Sequence, residues 1–102
     1  MSLLDGPISA LVAAVQSGET TAAAMTADSL ARAEARNPAI NAICLINPQA
    51  QAEAEQVSKR LGSGKTLPLA GVHVLNKEDD WVMGLRVYEG TQLYAEPMAT
   101  EA

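Results

Sequence analysis

Phenylalanine is absent from these 102 residues, and one tryptophan and two tyrosines are the only aromatics. Large rings supply much of the buried area in an ordinary core, so any core here must rest on aliphatic side chains. Nineteen of the hydrophobic residues are alanine, which favours helix but buries little area. A fully buried Leu, Ile or Val, by contrast, stabilises by about 1.5–3 kcal/mol. Small chains also bury a low fraction of their surface. Two readings follow. Either this is a small α/β domain with a modest core, or the core is completed by a further portion, a partner chain or a second copy.

The other absences exclude functions. A single cysteine, Cys44, rules out an internal disulfide framework. Its neighbours Ile43 and Leu45 predict a core thiol rather than a reactive one. The net charge is −5 and the seven Lys and Arg residues are scattered, which argues against nucleic acid and anionic membrane surfaces. No apolar run approaches the length of a bilayer; residues 8–15 are too few and have no basic flank. A cytoplasmic location is expected.

Cofactor and metal motifs are missing as well. Gly62-Ser63-Gly64-Lys65-Thr66 ends like a phosphate-binding loop, but residue 59 is lysine where that motif needs glycine. Leu67-Pro68 also stops the helix that should follow. Glu78-Asp79-Asp80 has three carboxylates pointing different ways, without the glycine and distal glutamate of a calcium loop. His73 has no second histidine, and no cysteine close in sequence, to share a zinc ion. Trp81, Tyr88 and Tyr94 have no basic cluster around them, so they read as core or interface residues rather than a base-stacking platform. No metal and no cofactor are expected.

What remains is an ordered series of elements. Asp5-Gly6-Pro7 is a helix start, followed by Ile8, Leu11, Val12 and Val15 on one stripe and Gly18 as a stop. Thr20 or Thr21 can cap a second helix running to about Arg36, with Ala22, Met25, Ser29 or Leu30, and Ala33 on its inner face. Asn37-Pro38 is the predicted end. Residues 40–46 are short, apolar and rich in isoleucine, a strand signal closed by Asn47-Pro48. A third helix over 48–61 carries Ala50, Ala54, Val57 and Leu61 on one face before Gly62 and Gly64 break it. Residues 72–76 then read as a buried strand ending at Lys77, with short extended pieces at 81–82 and 85–88 around Gly84. Helix, helix, strand, helix, strand predicts an α/β class, with 1–62 as a helical part and 67–102 as the lysine-bearing part.

Those pieces, in that order, resemble the front of the amidase signature family. The likeness rests on the two opening helices, Asn41-Ala42-Ile43, the helix before residue 62, and above all Leu67-Pro68-Leu69-Ala70-Gly71-Val72 leading to Lys77. Gly84, Gly90-Thr91 and Leu93-Tyr94-Ala95 fall where members often carry a glycine and a glycine-serine turn. The family includes amidases and the A subunit of aspartyl/glutamyl-tRNA amidotransferase. The resemblance implies an α/β fold of about three helices and a few short strands, with Lys77 as the neutral base of a lysine and two-serine relay. A lysine works so only when its pKa is drawn toward neutrality. The hydroxyl it activates attacks an amide carbonyl, and backbone N–H donors hold the oxyanion.

The serines here are Ser2, Ser9, Ser17, Ser29, Ser58 and Ser63; all precede Lys77, and none lies in a Gly-Gly-Ser-Ser-Gly setting. The lead into the lysine departs from the family pattern too. His73 stands for proline, Asn76 for an apolar residue, and Glu78 and Asp79 for aspartate and asparagine. Neighbouring carboxylates favour the ammonium form of Lys77, as in a plain strand-end ion pair. The expectation is a truncated amidase-like chain, inactive alone, that works with a complementary chain or as a homo-oligomer. The alternative is a non-catalytic module docking onto a larger subunit or onto itself.

Overall fold

The computed structural model describes residues 2–77 together with Val82, Gly84 and Leu85. A 3₁₀ turn at Leu3–Asp5 leads into three helices: α1 (Ile8–Ser17), α2 (Ala22–Ile40) and α3 (Ala50–Gly62). Each boundary has a local cause. Pro7 stands at the N-cap of α1, where a missing N–H costs nothing. Gly18 ends that helix in the left-handed conformation, φ 82. The Thr21 side chain caps α2 by accepting from the Ala24 N–H at 3.0 Å. Glu53 in the first turn of α3, and Lys59 and Arg60 in its last, suit the helix dipole.

The core is small and shared among all these pieces. Leu11 and Val15 of α1, Met25 of α2 and Ala70 are buried together. Leu3, Leu4, Val57, Leu61, Leu67 and Val72 pack partly buried around them. Two hydrogen bonds to the backbone of Ala23 tie α2 to α3: its N–H donates to Ser58 Oγ, and the Gln51 side chain donates to its carbonyl. An ion pair at 2.7 Å joins Asp5 of the 3₁₀ turn to Arg32 of α2.

The expected α/β class is wrong: among the described residues there is no strand, and the fold is all-α. Residues 40–46 fail as a strand for a local reason. Helix α2 runs on through Pro38 to Ile40 and ends on Asn41, which takes the left-handed conformation at φ 49. Proline removes a hydrogen bond only to the carbonyl four residues earlier, which matters little this close to a helix end. The Asn37 side chain then donates to the Ile43 carbonyl and accepts from the Ile43 N–H, both at 2.8 Å. That amide pairs the backbone of Ile43 as a neighbouring strand would. Residues 72–77 carry no regular structure, because a strand needs a second strand beside it. Most of the extended pieces expected at 81–88 lie outside the described residues; the Leu85 N–H closes a turn onto the Val82 carbonyl at 3.0 Å.

Candidate functional site

The lysine-bearing segment is docked at one end and exposed at the other. Residues 67–72 fold into successive turns, with the Ala70 N–H donating to the Leu67 carbonyl and the Val72 N–H to the Leu69 carbonyl. Gln16 of α1 reaches across to the Leu67 carbonyl at 3.2 Å. Ala70 is buried, and Gly71 lies flat on α1 at φ 90. A methyl group on Gly71 would sit 2.8 Å from Val15 Cγ2 and 3.3 Å from Leu11 Cδ2, so only glycine allows this approach. Two residues on, His73 Nε2 lies 2.9 Å from the hydroxyl of Thr26, a buried residue of α2. Shielding by the surrounding protein lowers the His73 pKa from the usual 6.5, although part of the residue stays open to water.

Beyond His73 the segment leaves the core. Val74 is 75% exposed and Leu75 81%, the opposite of the buried alternation expected of a strand. Asn76 is exposed, so the cost of burying its amide does not arise. Lys77 is exposed and follows directly, while Glu78, Asp79 and Asp80 lie outside the described residues. An open apolar groove of about 370 Å³ lies beside the turns, between Val57 and Arg60 of α3 and Leu67, Pro68, Leu69 and Ala70.

Several serines have structural employment. Ser2 Oγ accepts from the Leu4 N–H, Ser58 Oγ from the Ala23 N–H, and the Ser17 and Ser63 hydroxyls donate to helix carbonyls of Ala14 and Arg60. Cys44, expected in the core, is an exposed free thiol because the loop it sits on turns outward after Asn41. Among the described residues no group of three or more His, Cys, Asp or Glu could hold a metal ion. No helix among them is long and apolar enough to cross a membrane. Trp81, Tyr88 and Tyr94 fall outside the described residues.

Sequence reasoning missed three polar links: Thr26 with His73, Asn37 with Ile43, and Asp5 with Arg32. Each joins residues with no periodic signature. The one available hint is His73 itself, a polar ring in an otherwise apolar run with few plausible partners.

Comparison with known proteins points to one kind of relative. The chain is 45% identical over 86 residues to the A subunit of Glutamyl-tRNA(Gln) amidotransferase from Deinococcus deserti, covering 84% of this chain and 18% of that protein. It is 42% identical over 85 residues to the same protein of Deinococcus radiodurans, covering 83% and 17%. The Bdellovibrio bacteriovorus counterpart is 35% identical over 94 residues, covering 91% and 19%. The chain thus spans about a fifth of the length of these curated relatives. A matched stretch of 86 residues in a chain of 102 necessarily contains Lys77. No family model matches the chain, and no solved structure matches it.

Proposed function

We propose that these 102 residues are the lysine-bearing portion of an amidase-signature protein, of the kind that forms the A subunit of an amidotransferase. What carries the reading is the identity of 32–45% to four such proteins, each over more than four-fifths of the chain. The reaction would be hydrolysis or transfer at a carboxamide, with amido transfer to glutamyl-tRNA(Gln) as the form named in those relatives. Lys77 is the base. It takes a proton from a hydroxyl that attacks the amide carbon, and it needs a desolvated setting to be neutral. Its exposed position supports a further requirement, a protein body that covers it and supplies the nucleophile and oxyanion donors.

The chain by itself therefore turns over no amide. The test is an assay of the purified 102-residue protein on short linear amides. No turnover is expected; turnover abolished by Lys77→Ala would overturn the inactivity.

The exposure of Leu69, Val74 and Leu75, at 68%, 75% and 81%, favours a second reading. In it the same surface docks onto a larger protein or a second copy without catalysis. Sizing in solution bears on both: a compact monomer with sharp cooperative unfolding counts against any docking requirement.

A further inference from the structure

Residues 70–77 are held to the helices at two places of different chemistry. Gly71 is fixed by apolar contact with α1, and nothing about that contact titrates. His73 is fixed by one polar bond to Thr26, and His73 is the only histidine in the chain. We propose that the Thr26–His73 pair is a proton-operated latch that holds the lysine-bearing segment against α2. In the latched state the buried Thr26 hydroxyl donates to a neutral Nε2. Protonation fills that nitrogen's lone pair, so the acceptor is lost and two donors face each other. The segment from His73 to Lys77 then swings away from α2, still tethered at Gly71.

The environment supports this direction. Helix α1 carries no charged residue. On α2, Asp28 is two positions from Thr26 and so lies on another side of the helix, and Arg32 is occupied by Asp5. On α3, Glu55 and Lys59 are exposed. Burial alone accounts for the ring's reluctance to charge, with no carboxylate offsetting it. The sign follows from linkage: a histidine with a lowered pKa contributes stability above pH 6.5 and loses it as the pH falls through the docked value. At neutral pH the latch is closed.

The latch deepens the proposed function only by fixing where Lys77 starts from, and its test has no catalytic readout, so it can fail while the amidase reading stands. The measurement is NMR of the full 102-residue protein, following the single imidazole and the amides of residues 73–77 from about pH 8 to about pH 4. The wild-type ring is expected to titrate below 6.5 with an unprotonated Nε2 at high pH. Amide exchange at 74–77, corrected for intrinsic rate, should accelerate about threefold to tenfold on protonation, the equivalent of one hydrogen bond. Thr26→Val should raise the ring's pKa toward 6.5 and flatten the exchange profile, and Thr26→Ser should restore both. A wild-type ring titrating at 6.5 or above, or an Nε2 protonated at the alkaline end of the titration, overturns the latch without any variant. So does a folded Thr26→Val protein with an unchanged titration.

Discussion

Gly71 combines a positive φ with a close approach to Val15, so Gly71→Ala should destabilise by about 1–3 kcal/mol in urea unfolding, with Val15 displaced. A branched valine cannot swing aside as a long flexible side chain would. Asp5 makes the complementary electrostatic case. The Arg32 guanidinium, together with the Ser2 N–H, holds its carboxyl down at about 2. The native state therefore prefers the carboxylate, and that preference is present above pH 3.8 and lost as the pH falls through about 2. An NMR titration of Asp5 should show this low midpoint, and Arg32→Ala should bring it back toward 3.8. The pair is open to solvent, so its contribution at neutral pH should weaken with added salt.

At the scale of elements, structure is legible in the sequence where a local device sets a boundary. Pro7, Gly18 and Thr21 act within one helical turn, and α1 and the start of α2 fall where those residues place them. Thr21→Ala should cost about 1 kcal/mol in chemical unfolding by removing the bond to the Ala24 N–H. Legibility ends where an element depends on a distant group. The isoleucines at 40, 43 and 46 suggest a strand, yet the helix absorbs the first and the Asn37 side chain pairs the second. The lysine run also has the pattern of a strand, because β-branched residues and a two-residue period describe one face and not its partner. Cys44 suggests core from apolar neighbours that themselves stay exposed or half-exposed. Lys77 is legible only as a position within a resemblance, and its chemistry depends on what covers it.

For the whole molecule, the thinness of the core decides most: no large side chain is buried beyond 98%. Exposed Leu69, Val74 and Leu75 flank the docked turns instead of joining them. Such a protein should unfold at modest temperature, and covering that surface with a folded partner should raise its midpoint by mass action. If the segment ending at Lys77 is the base-carrying part of an amidotransferase, it should work when built into a complete one. The experiment exchanges the matching 86 residues of the Deinococcus deserti relative for those of this chain, then measures amide turnover with Lys77 and with Lys77→Ala. An active chimera is expected, with a rate that falls by on the order of 10²–10⁴-fold when the lysine is removed, the usual worth of a general base. A folded chimera that is inactive, or one that works equally well with alanine at position 77, would contradict that role.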